Sequence, residues 1–506
     1  MRTCKELGIK CIAIYSEADR NALHVKLADE AYLINSSDPI KSYLDIDRIV
    51  ELALDTGVDA IHPGYGFLSE NHLFAERCEK NNIVFIGPSS HVLKKVGDKV
   101  QAKRIMKDAG VPVVPGTLSA ITDLGEAIEI ANQIGYPVLI KAAAGGGGIG
   151  MTAVHNNRDM IEKFNQTQKI AELAFGDGSV YIEKLIRRPR HIEFQIVADR
   201  YGNVIHLGER ECSVQRRHQK LIEESPSLAV DDELRNIMGT AAVKAAKAVG
   251  YNNVGTIEFI LHKRSFYFLE VNARIQVEHG VTEMRTGIDL VREQIRLAKG
   301  EPLGYTQEEV NFYGWAIECR INVEDPHSNF APAPGKITRY KEPGGFGVRV
   351  DSGVYEGYTI PPHYDSLIAK VITWGLTRIE AINRMKRALS EYSIRGVKTT
   401  IPLYQAILSD ENFVKGKFDT EYITKNLSKI TRKLKEIELK NVAIASAVLK
   451  ALFGSKIEKP KQVVQIKTVN NTVTKSNMLN NELYDYQLIK WANNIPKWKR
   501  PTFSRS

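Results

Sequence analysis

The segment FYFLEVNARIQVE, residues 266–278, constrains this chain more than any other. Side chains alternate across a strand, so residues two apart share a face. Leu269, Val271, Ala273, Ile275 and Val277 would point into packing, and Glu270, Asn272, Arg274, Gln276 and Glu278 the other way, if the segment stays extended. A solvent-facing strand usually carries a scatter of Thr, Lys and Ser. This face carries carboxylates, amides and a guanidinium, with no Lys. Joined by Glu258 in GTIEFIL (255–261), Glu270 and Asn272 offer hard oxygen ligands suited to Mg2+ bridging phosphates. A merely solvated face is the alternative.

Two further segments point toward anions. KAAAGGGGIG (141–150) follows the strand pattern YPVLIKA (136–142). Without Cβ atoms, successive backbone N–H groups can converge on phosphate oxygens. The run lacks GxxxxGK[ST], so it is not a P-loop, and a flexible turn is the alternative. Lys141 just before it can reach the same phosphates, and Lys99 is a second, weaker candidate. In RECSVQRRHQKLIEE (210–224), Arg216, Arg217, His218 and Lys220 read either as an anion clamp or as an exposed charge run. Cys212 reads as a buried thiol and His191 equally as an interior histidine.

Around these segments the patterns alternate. Residues 1–95 read as an open α/β layer, with strands in KCIAIY (10–15), DAIHPGYG (59–66) and NIVFIGP (82–88) and a helix at 46–56. Ligand loops of such sheets lie beyond the carboxyl ends of strands, where HPGYGFLSEN (62–71) falls. Residues 97–300 mix a helix (98–109) with the strand patterns 191–199, 203–208, 255–261 and 266–278, and 313–425 form a third block with a helix at 378–392. No internal repeat is present. The net charge of +9 is concentrated at one end: residues 426–506 carry 16 Lys+Arg against 5 Asp+Glu, leaving the rest at −2. A nucleic-acid enzyme would carry that charge on its folded body. A helix at 439–453 and a linker near 463–477 are expected there, with no nucleic acid or membrane as partner. Five cysteines (Cys4, Cys11, Cys78, Cys212, Cys319) lack any CxxC pair, which argues against disulfides and zinc. With no signal-peptide pattern at MRTCKELGIKCIAIY, the expectation is a cytoplasmic protein.

In order and spacing, HPGYGFLSEN, GDKVQAKRIMKDAGVPVVPG, YPVLIKAAAGGGGIGM, RHIEFQIVAD, RECSVQRRHQKLIEE, NARIQVEHGVTE and ECRINVEDP closely resemble the biotin carboxylase family of ATP-grasp enzymes, from residue 1 to about 425. The resemblance implies α/β and α+β architecture: an N-terminal open α/β (pre-ATP-grasp) domain at 1–96, an ATP-grasp domain at 97–312 with a mobile lid at about 115–187, a C-terminal biotin carboxylase domain at 313–428, and a basic tail at 429–506. It implies that Lys99, Lys141, Gly147, Gly148, Glu183, Lys184, Leu185, Ile186, His191, Gln215 and His218 hold ATP. Glu258, Glu270 and Asn272 would hold Mg2+ or Mn2+. Lys220, Arg274, Gln276, Val277 and Glu278 would hold bicarbonate, with Glu278 as general base, and Arg320 would meet the biotin ureido oxygen.

The implied reaction is ATP-dependent carboxylation of biotin through carboxyphosphate, the first half-reaction of an acetyl-CoA, propionyl-CoA or pyruvate carboxylase. A catalytically impaired scaffold subunit is the alternative. The sequence lacks the Ala-Met-Lys-Met-like hairpin of biotin-carrying domains. The expected partners in trans are therefore a biotin carboxyl carrier protein and a carboxyltransferase subunit, and the resemblance implies a homodimer. Relatives open with a strand and a glycine-containing turn ahead of MRTCKELGIK, and the expectation is a mis-set start. Ile149, Ala273 and Gly280 depart from the family pattern beside the implied functional face.

Overall fold

In the computed structural model, which describes residues 1–34, 38–143 and 151–453, an eight-stranded sheet organises the first of two compact units, Met1–Ser428. Its spatial order is Ser265–Asn272, Asn253–His262, Arg190–Ala198, Val204–Arg216, Gln219–Ser225, Trp315–Asn322, Leu367–Gly375 and Val348–Ser352. Every neighbouring pair is antiparallel.

Period-two patterning decides which face is core. Ile192, Phe194 and Ile196 pack with Ile257, Phe259 and Leu261 and with Leu234, Met238, Ala242 and Ala245 of the helix Asp232–Val249. Glu193, Gln195 and Glu258, one residue out of phase, therefore emerge on the opposite face. On Ser265–Asn272 a bulge at Leu269 resets the phase: Glu258 pairs with Glu270, but Phe259 pairs with Phe268. The extra residue lets Phe266 and Phe268 enter the core while Glu270 stays on the polar face.

The N-terminal region holds two parallel pairs, Ile12–Tyr15 with Glu30–Leu33 and Ala60–Ile61 with Val84–Phe85, rather than one continuous sheet among the described residues. The second pair is short because Pro63 lacks an N–H and Gly64 turns at φ +71°, ending the strand at Ile61. A three-stranded sheet, Met151–Val154, Val138–Ala142 and Val180–Lys184, has its own apolar cluster of Ile121, Ala127, Val138, Ile140, Phe164 and Ile182, with the helices Leu124–Ile134 and Asn157–Phe175. In the second unit, Lys429–Ser506, the described residues up to Phe453 are helical, the last turns of the helix Tyr422–Phe453. The expected linker near 463–477 lies outside the described residues.

Candidate active site

The polar face of the large sheet gathers most of the expected residues around Lys220. Its Nζ lies 2.6 Å from Glu193 Oε2, 3.0 Å from Glu258 Oε1 and 2.6 Å from Glu278 Oε1. One ammonium thus faces three carboxylates. Burial would lower the Lys220 pKa, but Glu193, Glu258 and Glu278 outweigh it and hold it well above the usual value. Arg320 grips the other side of Glu278, Nη2 to Oε2 at 2.8 Å, and its Nε donates to Glu223 Oε1 at 2.5 Å. Burial would raise Glu278, yet Lys220, Arg320 and Arg210 hold its carboxyl well below the usual range.

The segment expected as one strand is divided. The strand ends at Asn272, and Glu278 occupies the N-cap of the helix His279–Thr286. Arg274, Gln276 and Glu278 therefore do not share a strand face with Glu270 and Asn272; a turn brings them to the same place. Arg274 donates from Nη2 to Asn272 Oδ1 (2.9 Å) and from Nε to Glu70 Oε2 (2.9 Å), while Gln276 Nε2 reaches Glu258 Oε1 at 3.1 Å. The Val277 carbonyl accepts from Lys370 Nζ.

Beneath this lies a group that sequence patterning did not single out. Arg210 is fully buried and all five of its donor positions are used, to Glu193 (2.5 Å), Gln195 (2.6 Å), Thr282 (3.1 Å), Thr256 (3.0 Å) and Gln276 (2.6 Å). The signal was present in the sequence as Glu193 and Gln195 out of phase with Ile192, Phe194 and Ile196. Glu70, in the HPGYGFLSEN segment, was likewise missed; its second oxygen accepts from Ala273 N at 2.9 Å.

The metal set fits a divalent cation on one observation. Glu258 and Glu270 are directly opposed across neighbouring strands, a destabilising placement for like charges unless a cation joins them. Burial and Glu258 raise the Glu270 pKa, partly offset by Lys99. Asn272, two residues on, offers Oδ1 from the same face. The tight clusters of possible ligand atoms among the described residues are different ones, His191–Glu193–Glu258 and Glu193–Cys212–Glu278. Lys220 and Arg210 already reach those clusters, and Lys220 reaches Glu258 as well; Glu270, which has no ion pair among the described residues, is the carboxylate that leaves the set room for a cation.

A second corner has the opposite charge balance. Lys103 and Lys141 both contact the buried Glu183, Lys141 at 2.5 Å. Burial and Lys99 push Lys141 down to about 8, and burial, Lys141 and Lys99 push Lys103 to about 7. Lys99, Lys103 and Lys141 gather around Glu183, with Glu270 the further carboxylate acting on Lys141, and the balance leaves this corner short of negative charge, as a polyphosphate site must be. Lys99 is placed there by the Asp98 cap, whose side chain accepts from Val100 N and Gln101 N, although a cation in a first helical turn opposes the helix dipole. Lys184 instead donates to the carbonyls of Gly135 (2.7 Å) and Tyr136 (3.1 Å). Leu185 and Ile186 follow the same strand and are half-buried. Gly147 and Gly148 lie outside the described residues.

His191 Nε2 lies 3.1 Å from Glu258 Oε2; burial lowers its pKa, but Glu258 raises it further, giving a net upward shift. Gln215 is buried, and its Nε2 reaches the Cys212 carbonyl at 3.4 Å. His218 sits in the two-residue turn between Val204–Arg216 and Gln219–Ser225, with Arg217 at φ +49° and His218 at φ +66°. Such turns normally use Asn-Gly, because both central residues must be left-handed. Burial, Lys141 and His191 lower the His218 pKa, which places the imidazole toward the lysine corner.

Residues 1–93 match the family model for the biotin carboxylase N-terminal domain, 98–306 the carbamoyl-phosphate synthase L chain ATP-binding domain, and 318–425 the biotin carboxylase C-terminal domain. The chain is 57% identical to biotin carboxylase 1 of Bacillus subtilis, over 84% of this chain and 94% of that one. It is 54% identical to the 2-oxoglutarate carboxylase small subunit of Hydrogenobacter thermophilus, over 84% and 90%. Among solved structures, the biotin carboxylase domain dimer of the 2-oxoglutarate carboxylase of Hydrogenobacter thermophilus, in complex with MgADP, ADP and bicarbonate, superposes with a TM-score of 0.81 at 52% identity, covering 84% of this chain and 94% of that one. With its three family-model matches, its identity to these relatives and its fold, the chain belongs to the biotin carboxylase family.

Proposed function

We propose that this protein carboxylates biotin presented on a separate carrier protein, consuming ATP and bicarbonate and passing through carboxyphosphate. The observation that carries the reading is the position of Glu278, held between Lys220 and Arg320 beside the opposed pair Glu258–Glu270. Lys99, Lys141, Gly147, Gly148, the segment Glu183–Ile186, His191, Gln215 and His218 bind ATP. Glu258, Glu270 and Asn272 hold Mg2+ or Mn2+, which when bound neutralises phosphate charge. Lys220, Arg274, Gln276, Val277 and Glu278 bind bicarbonate.

Glu278 takes the bicarbonate proton as the anion attacks the γ-phosphate, displacing ADP and giving carboxyphosphate. In the ligand-free arrangement Glu278 is too well stabilised as a carboxylate to be a strong base. Bicarbonate drawing Lys220 toward itself would raise the Glu278 pKa and so activate it. Carboxyphosphate then breaks down to CO2 and phosphate, the phosphate takes the N1′ proton of biotin, Arg320 stabilises the enolate, and N1′ bonds to the CO2 carbon to give carboxybiotin. The three-stranded sheet with its separate core moves as a lid (about 115–187) that excludes water from the labile intermediate. The domains are 1–96, 97–312 and 313–428.

The protein works as a homodimer with a carrier and a carboxyltransferase subunit in trans, in the cytoplasm. No described helix is long and apolar enough to cross a membrane. The 429–506 tail docks one of those partners; unchanged assembly after deletion of residues 430–506 would refute that. The central test is ADP release with Mg-ATP, with and without bicarbonate and free biotin. Release that requires bicarbonate and rises with biotin supports the reading. No release from a folded sample, or release indifferent to bicarbonate, overturns it.

A further inference from the structure

Behind Arg320 the sheet places two carboxyl groups face to face. Glu223 and Glu318 are directly paired across neighbouring strands, and both are fully buried. Directly opposed residues bring their Cβ atoms to about 4.5–5.5 Å and share one face. Glu223 accepts from Arg320 at Oε1, but its Oε2 has no hydrogen-bond partner among the described residues. Neither oxygen of Glu318 has one. Two buried carboxylates pressed together without donors would repel, and unpaired buried polar atoms are rare in native proteins.

The surrounding charges do not resolve the conflict. Lys370 is the nearest cation, yet its Nζ is 3.9 Å from Glu318 and is engaged with the Val277 carbonyl, His279 Nδ1 (3.3 Å) and Asp351 (3.5 Å). Arg349 is committed to Asp351 (2.8 Å) and Glu283 (2.6 Å). From the helix His279–Thr286, which packs over the strand, come the Glu278 cap and a His279 held neutral by burial and by Lys370. Gly280 in its first turn allows the approach: a Cβ there would lie 3.6 Å from Glu318 Oε2 and 2.3 Å from Ile372 Cδ1. Lys220 and Arg320 are taken up by Glu278, Arg320 also by Glu223, and Arg349 by Asp351, so no described cation donates to Oε2 of Glu223 or to either oxygen of Glu318, and a shared proton is the donor this pair lacks.

We propose that Glu318 is a neutral carboxylic acid whose O–H is donated to Oε2 of Glu223, so that the pair carries one proton and one charge, and that this shared proton sets how firmly Glu223 holds Arg320. Glu318 is then a positioning residue for the arginine that meets biotin. The O–H satisfies both orphaned partners at once. It also draws charge from Glu223, leaving Arg320 free to turn between Glu278 and the substrate. Burial, joined by Glu223 and Glu278, outweighs Lys370 and Arg320 and holds Glu318 well above the usual carboxylate value, and burial with Glu278 outweighs Arg320 and Lys220 to bring Glu223 to about 7, in keeping with one shared proton.

Only the last link, from Glu318 to biotin through Arg320, rests on the proposed function. The test therefore has two readouts. The first is the infrared difference spectrum of the full chain, wild type minus Glu318→Gln, at pH 8. Ordinary glutamates, with pKa values near ~4.3, are ionised there. An un-ionised carboxylic carbonyl band that is present in the wild type and lost in the variant is the expected result. A wild-type spectrum without that band overturns the proposal whatever the enzyme does, and a band that survives in Glu318→Gln overturns it too. The second readout is the KM for free biotin. Glu318→Leu, which cannot donate, should raise it about tenfold, the loss of one hydrogen bond, with the ATP KM unmoved. Glu318→Gln, whose amide still donates, should recover most of that loss. Equal biotin KM values in Glu318→Leu and wild type, or equal loss in Glu318→Gln and Glu318→Leu, would remove the positioning role.

Discussion

The two charged corners of the site are opposites. Around Lys220 one ammonium serves three carboxylates, and its charge is held far more firmly than in water. Around Lys141 the other two lysines, Lys99 and Lys103, outweigh the carboxylates Glu183 and Glu270, and burial and Lys99 loosen the charge to a pKa of about 8. The same residue type is pushed in opposite directions by the count of its neighbours, since burial lowers both. The first corner is closed on itself and must be opened by substrate. The second is incomplete and waits for an anion. In the proposed reading, that difference separates a site for base chemistry from a site for phosphate binding.

The sharpest way to break the comparison is Glu278→Gln. It removes the base and leaves Lys220 two carboxylates, and bicarbonate-dependent ADP release should fall by about 10²–10⁴-fold. A fall of less than tenfold, measured at saturating ATP, would mean that Glu278 is only a structural partner of Lys220. Next is Arg210→Met, which strands Glu193 and two amides under the closed corner. A loss of about 3–5 kcal/mol is expected in urea unfolding followed by fluorescence.

At the open corner, Lys141→Gln should raise the ATP KM by about 1–2 orders of magnitude, the loss of one charge-assisted contact at 1.5–3 kcal/mol, with the bicarbonate KM little changed. The wild-type ATP KM should itself rise as pH passes through about 8, because the lysine sheds its proton there. The sign for the unliganded fold is the reverse. An unfolded lysine titrates near ~10.4, so above pH 8 the unfolded chain binds more protons than the folded one, and stability from this group rises with pH across that window. The smallest effect is Lys99→Gln. Removing a repelling neighbour should move the ATP pH profile upward by less than about one unit; an unmoved profile would detach Lys99 from the corner.

Much of this was legible in the residues. The polar face of 266–272, the strand before the glycine run and the motif order all pointed to the site. What stayed hidden followed from pairing. Glu223, Glu318, Glu193 and Arg210 look like ordinary members of alternating strands, and only the register shows which of them meet. The bulge at Leu269 and the end of the strand at Asn272 were invisible for the same reason: alternation continues through 278, although the backbone turns. In the N-terminal region the strand patterns were correct in kind, but Pro63 and the Gly64 turn shortened the second pair. Lys103 was overlooked because nothing in a helix pattern marks one lysine as buried.

The hairpin turn at Arg217 and His218 has a consequence for anyone trying to improve this enzyme. Two residues with Cβ atoms sit where asparagine and glycine belong, so the turn itself is a standing invitation to stabilising replacement. A library selected for heat resistance alone would drift toward Asn-Gly there and harvest a sturdier hairpin. It would also discard the imidazole proposed to meet ATP. Selection for robustness and selection for turnover should therefore part company at this turn, and a thermostable variant found by the first route should be checked at residue 218 before any other.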